Sequence, residues 1–229
     1  MYEERRPAPA LAGRIACEWS SVSEAGETKL VVPDGCVDLI WGPEGPFVAG
    51  PDTGPVLTAM RPGDTFTGIR FRPGAVGEVF GVPLAWLRDQ RVPVASLDVM
   101  RELAEVEPGR PGDRAAALRS AVARRLRATS PVDPAATALV TALRRGRTVR
   151  EAAGDLGYSE RQLHRRSVAG FGYPPKTLQR IVRFQRALRL ARTGVPFAQV
   201  AAMTGYADQA HLSHDVKRLS GVSLRSLAG

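Results

Sequence analysis

Two sets of side chains, about 50 positions apart, have the types and spacing to read a nucleic-acid duplex. Arg161, His164 and Arg165 fall at i, i+3 and i+4, so a helix carries them on one face. Arginine makes a bidentate contact with O6 and N7 of guanine, and histidine can donate to the same atoms. Further on, Gln209, Ala210, Ser213, His214 and Lys217 face away from a stripe of Leu212, Val216 and Leu219. Glutamine suits adenine, alanine suits the thymine methyl, and serine and lysine suit phosphates. His211 stands between a capping or packing role and a phosphate contact.

Such side chains work only if two short helices hold them at a fixed separation. Ala153, Gly157 and Tyr158 recur as Ala201, Gly205 and Tyr206 at a constant offset of 48. Each copy reads as short helix, glycine turn, second helix. That is a helix-turn-helix, and two in tandem imply reading of successive major grooves. In the first copy residues 148–156 are the supporting helix, and Gly157 sits where the turn needs a left-handed residue. Ser159 with Gln162 forms a capping box, and Leu163 is the apolar anchor of the helix that follows. In the second copy Asp208 is the cap. Between the copies, Pro175 to Arg192 reads as one helix with Leu178, Ile181, Val182 and Leu188 on its apolar side. Arg180, Arg183, Arg186 and Arg189 step along another side. A helix of about 18 residues spans ~27 Å. With the width of the flanking units it can hold two reading helices near the ~34 Å of one DNA turn.

The charge follows the repeat. Of a net +9, residues 131–229 carry 16 Lys+Arg against 6 Asp+Glu, or +10, while residues 1–130 carry 16 against 17, or −1. A basic module beside a neutral one is the footprint of a polyanion-binding domain attached to something else.

The chain of 229 residues is long enough for two modest domains. Residues 1–12 are polar and proline-containing and read as a flexible tail. Residues 29–32, 36–41 and 66–72 are short strand-like runs separated by Pro and Gly turns, so the region from 13 is expected to be a small β-sandwich or barrel. Helical patterning begins at Ala75, with Val76, Val79 and Phe80 on one face, and continues through residues 99–106 and 115–126. Residues 108–112 read as the clearest loop, and Pro131 and Pro134 mark a boundary near residue 130. The expectation is an α+β chain. Residues 13–130 form a β-rich sensor or dimerisation domain with trailing helices, and 131–229 an all-α domain of two helix-turn-helix units joined by a long helix.

These residues resemble the AraC/XylS family of transcription regulators. The resemblance covers about 131–229 and rests on Ala153, Gly157-Tyr158-Ser159, Leu163 with Arg165, Gly172 with Pro175, Arg183 to Leu188, Val200-Ala201, Gly205 to Gln209, His211, and Lys217-Arg218 with Gly221-Val222. It implies base reading by Arg161, His164 and Arg165 in the first unit and by Gln209, Ala210 and His214 in the second. Ser167 stands where the family usually has phenylalanine, Val216 and Leu219 replace aromatics, Leu224 replaces proline and His214 a common arginine. The smaller core residues imply a looser second unit, and His214 implies weaker, more pH-dependent guanine reading there. The N-terminal half is similar, more vaguely, to the small β-rich sensor modules that precede such domains. The implied partners are double-stranded DNA, a small-molecule effector, a second copy of the chain, and RNA polymerase where the regulator activates.

An effector site in the first half would draw on Asp38 and Arg70 as polar anchors and Trp41 and Trp86 as apolar walls. The competing reading makes both tryptophans ordinary core and assigns Asp34 to its Pro33-Asp34-Gly35 turn. No metal and no cofactor is expected, because all three histidines lie in the second half and Cys17 and Cys36 fit no ligand spacing. Nor does the sequence hold a Gly-x-Ser-x-Gly elbow, a Walker loop or a dinucleotide fingerprint, so no catalytic residue is assigned and no enzyme is expected. No apolar run reaches the ~20 residues of a membrane span and no secretory leader is visible, so a cytoplasmic protein is expected, with no membrane partner. Two alternatives stay open: an enzyme localised by its DNA-binding module, and a ligand-independent architectural DNA protein.

Overall fold

A computed structural model of the chain describes residues 1–107 and 109–229. The N-terminal region is β-rich. Its strands are β1 (Tyr2–Arg5), β2 (Ile15–Val22), β3 (Glu27–Val31), β4 (Val37–Gly42), β5 (Gly45–Ala49), β6 (Val56–Met60), β7 (Thr65–Phe71) and β8 (Arg91–Pro93). Six of them form an antiparallel sheet in the order β1-β2-β7-β4-β5-β8, and β3 pairs with β6 in a second sheet. The helices of this half are α1 (Leu84–Leu87), α2 (Arg101–Ala104) and α3 (Pro111–Ala128). Val37, Leu39, Trp41, Ile69 and Phe71 bury one sheet face against α1, α2, α3 and the turns between them.

Three expectations are corrected here. Residues 1–12 are no free tail. Tyr2–Arg5 pairs with Glu18–Ser21 as an edge strand, and Pro9–Leu11 makes a 3-10 turn. All four strand residues are exposed, so the segment has no apolar alternation to betray it. The helical spacing of Val76, Val79 and Phe80 does bury all three, but on turns. Gly74, Gly77 and Gly81, all at positive φ, interrupt any helix there. Of the expected loop at 108–112, Pro108 lies outside the described residues, while Pro111 and Gly112 open α3.

The C-terminal region is all helical: α4 (Pro134–Arg144), α5 (Val149–Asp155), α6 (Glu160–Phe171), α7 (Pro175–Arg192), α8 (Phe197–Thr204), α9 (Gln209–Ser220) and α10 (Leu224–Ala228). α5–α6 and α8–α9 are the two helix-turn-helix units, and α7 is the expected connector. One core, centred on Leu163, Ile181, Phe184, Val200 and Leu212, ties both units to α7. Val216 and Leu219 are fully buried in it, so the second unit closes around its smaller residues.

The two halves are packed together. Gln185 on α7 donates to Pro33 O at 2.6 Å, and Arg88 donates to Gly172 O at 3.4 Å. Val32 packs on the C-terminal core. Tyr173 is buried, with its hydroxyl beside Gly35.

Phe184 is fully buried on α7, the helix that touches α4, α5, α6, α8, α9 and α10. Phe184→Ala should cost about 3–5 kcal/mol of stability, read from a shifted denaturant midpoint. A loss under about 1 kcal/mol would show that this core does not hold the units.

Candidate nucleic-acid interface and N-terminal polar cluster

Each reading helix is started by its own cap. On α6, Ser159 accepts from the Gln162 amide at 3.3 Å, and the Gln162 side chain accepts from Ser159 N at 2.9 Å. On α9, Asp208 accepts from His211 N at 2.7 Å. The turns before them place Gly157 at φ 68° and Gly205 at φ 77°, where a side chain would be strained. Thr148 and Glu151 box the start of α5 in the same way as Ser159 and Gln162, a cap that sequence reading passed over.

On α6, Leu163, Ser167 and Phe171 are buried, and Arg161, His164 and Arg165 are exposed. On α9, Leu212, Asp215, Val216 and Leu219 are buried, and Gln209, Ala210, Ser213, His214 and Lys217 are exposed. The structure therefore turns all eight singled-out side chains to solvent on two helices of one helical domain. His211 packs back on its own turn. Its ring meets Tyr206 edge-on with centroids 5.2 Å apart, and its Nδ1 accepts from Ala207 N at 3.4 Å.

The units are fastened differently. In the first, Arg166 pairs with Asp133, the N-cap of α4, and lies 4.5 Å over the Tyr158 ring. In the second, Tyr206 Oη and Arg183 of α7 both reach Asp215.

The N-terminal sheet brings Asp38 and Arg70 together and separates Trp41 and Trp86 from them. Asp38 and Arg70 are cross-strand partners, and Arg70 Nε donates to Asp38 Oδ1 at 3.1 Å. Trp41 points to the opposite face, inside the core. Trp86 is 73% exposed on α1. The four expected ligand residues are thus not one site. Sequence reading missed Trp19, whose Nε1 donates to Asp38 Oδ1 at 2.7 Å. A bulge between Ile15 and Cys17 shifts the register of β2, so Ile15 faces the core with Phe71 while Cys17 and Trp19 face Arg70 and Gly68. Trp19 then lies flat over Gly68, where a Cβ would come within 2.4 Å of its ring. Glu4 of β1 stands 4.0 Å from Arg70, and Tyr2 donates to Glu4 at 2.7 Å. Lys29 of the small sheet lies 4.7 Å over the Tyr2 ring.

Burial pushes the Asp38 carboxyl up to about 6, outweighing the opposing pull of Arg70. Both cysteines are free, and burial raises the Cys17 thiol to about 11 and holds Cys36 well above its ordinary value. Asp34 accepts from Cys36 N at 2.8 Å, the turn role expected of it. Arg72 donates to Ala12 O and takes no part in the cluster. A cavity of about 180 Å³ opens behind this sheet edge, between Glu18, Trp19, Gly68, Leu118 and Arg119. It is smaller than ordinary ligand pockets. Among the described residues no group of three or more His, Cys, Asp or Glu is placed to hold a metal, and no helix is long and apolar enough to cross a membrane.

Residues 152–228 match the family model of a helix-turn-helix domain, and residues 3–93 match that of a domain of unknown function (DUF6597). Among curated proteins no relative matches the sequence. Crystal structures of ToxT from Vibrio cholerae are loosely similar. One is 12% identical with a TM-score of 0.47, over 92% of this chain and 97% of that one. A second, at 11% and 0.48, covers 99% and 97%. A third, with an unsaturated fatty acid bound, is 10% identical with a TM-score of 0.45, over 91% and 93%.

The raised Asp38 has a signed consequence. Between pH ~4 and ~6 the native state keeps a proton that the unfolded chain has released, so this group lowers stability as pH rises through that window. The stability of the wild type relative to Asp38→Asn should fall by about 1–3 kcal/mol from pH 4 to 6 and level off above 7, measured by denaturant unfolding. A difference that is flat or rises with pH would show that Arg70 and Trp19 already hold the carboxylate ionised.

Proposed function

We propose that this chain, whose C-terminal region is a helix-turn-helix domain of the AraC type, is a sequence-specific transcription regulator and not an enzyme. Residues 131–229 read double-stranded DNA. The region before 131, including the edge strand at its start, receives a small-molecule effector. The observation that carries this reading is the two-faced burial of α6 and α9. Each gives its apolar side to the core on α7, and together they turn arginine, histidine, glutamine, serine and lysine side chains outward, with Ala210 among them. Arg161, His164 and Arg165 take base edges in one major groove, and Gln209, Ala210 and His214 take them in the next. Ser213 and Lys217 hold phosphates. The basic excess of this half supplies the salt-dependent attraction that brings the duplex in.

For the effector, the polar end is Asp38, Arg70 and the missed Trp19, with Glu4, Tyr2 and Lys29 around it. Trp41 and Trp86 are not part of it. The set holds two cations and two carboxylates, which suits a polar ligand of little net charge better than a strong anion. Arg88, Gly172, Tyr173 and Gln185 give an occupied N-terminal half a direct path to the end of α6 and to α7. RNA polymerase is the partner expected of an activator, and a second copy of the chain is the partner expected at a palindromic site.

Selection of bound fragments from a random DNA pool tests the reading. The expected result is one site with two blocks of base preference about one turn (~10 bp) apart. Binding without base preference would sink it. On the selected site, Arg165→Ala should cost ~1–3 kcal/mol and relax preference at one base position. An equal loss on every sequence would make Arg165 a phosphate contact only.

A further inference from the structure

Asp215 is the one buried carboxylate of the C-terminal half among the described residues, at 6% exposure. It sits on the inner side of α9, one residue after His214 and two before Lys217. Its Oδ2 accepts from Tyr206 Oη at 3.0 Å and from Arg183 at 3.1 Å, and Arg180 approaches Oδ1 to 3.9 Å. The Arg183 guanidinium also lies 4.0 Å over the Tyr206 ring and donates to Gly205 O at 3.5 Å. One carboxylate thus joins the connector helix, the turn and the second reading helix.

We propose that Asp215, through Arg183 and Tyr206, is the positioning residue that fixes the axial and rotational setting of α9, and so decides which bases the second unit reads. The inference rests on the reading role of α9 given above. Leu212, Val216 and Leu219 supply the burial that holds α9 down, but apolar contact is non-directional and tolerates a small slide or roll. A charge-assisted hydrogen bond does not, since it weakens steeply as distance and angle change. Successive residues on a helix are turned by about 100° and raised 1.5 Å. His214 and Lys217 therefore cannot shift on the DNA without carrying Asp215 off its partners.

The repeat supplies an internal contrast. The reading helices run at an offset of 49, from Ser159 to Asp208, Leu163 to Leu212 and Gly172 to Gly221. Arg166 therefore occupies the position of Asp215, and it pairs with Asp133, the N-cap of α4, and lies 4.5 Å over the Tyr158 ring. That pair ties α6 to α4 and not to α7. The first unit has a polar tether of another kind, so the clamp belongs to the second unit alone.

The experiment uses the full chain and the duplex it selects from a random pool. Affinity is compared for the intact site, for a site scrambled in the α9 half and for one scrambled in the α6 half. Asp215→Asn keeps the shape and removes the charge. It should lower discrimination in the α9 half about tenfold and leave that in the α6 half within about twofold. Tyr206→Phe removes one hydroxyl and should give a smaller loss in the same half. A folded Asp215→Asn chain with both halves unchanged, or with equal losses in both, overturns the proposal. If that variant does not fold, Tyr206→Phe decides by the same ratio. A wild type without preference in the α9 half is a different result. It refutes the reading role of α9 before any variant is made, and the clamp with it.

Discussion

Neither reading helix can stand alone. α6 and α9 have 12 residues each, a length at which an isolated helix is marginal in water. What holds them is burial against α7. Leu163 from one side and Leu212 from the other reach the same core as Ile181 and Phe184, all fully shielded from solvent. A buried leucine or phenylalanine is worth ~1.5–3 kcal/mol, and caps add about 1 kcal/mol each. Caps set where the helices start, while the shared core makes them persist and sets their separation. The polar faces can be given over to DNA because the apolar faces on α7 already meet the cost of ordering.

The N-terminal sheet solves a different problem. Its core face is filled by α3 and the turns after β7, so any polar function falls to the other face. There the bulge at Ala16 matters most. With a regular register Trp19 would share a face with Ile15. The extra residue turns Trp19 toward Asp38 and leaves Ile15 in the core. Trp19 and Arg70 together satisfy a carboxylate that burial would otherwise neutralise.

The legible parts of the sequence were local. The glycine turns, the Ser159 and Asp208 caps, the apolar spacing of 175–192 and the outward faces of α6 and α9 depend on residues within a turn or two of each other. Their placement follows from periodicity and cap chemistry. The rest depended on distant partners. Tyr2–Arg5 is a strand only because β2 lies beside it. Trp19 and Asp38 meet across two strand pairings, and Asp215 meets Arg183 32 positions away. Trp41 and Trp86 show the converse. Both are large aromatics near the expected pocket in sequence, yet the pleat sends one into the core and a four-residue helix leaves the other on the surface. The reading of both tryptophans as core thus holds for Trp41 and fails for Trp86.

The two units, alike in sequence, are bound into the protein unequally. α6 ends against the N-terminal half. Gly172 fits so closely under Leu84 that a Cβ would sit 2.7 Å from its carbonyl oxygen, and the next residue, Tyr173, is buried beside Gly35. α9 has its clamp on α7. Along α7, Gln185 touches the N-terminal half while Arg180 and Arg183 face Asp215. A rearrangement around Pro33 to Gly35 would therefore act on α6 at once, through the Gly172–Tyr173 loop. It would act on α9 through α7, while the Gly221 end of α9 itself lies near Pro55. Packed cores switch between discrete arrangements more readily than they bend. The physical expectation is that the connector and second unit behave as one rigid piece, against which the first unit and the sensor region are set.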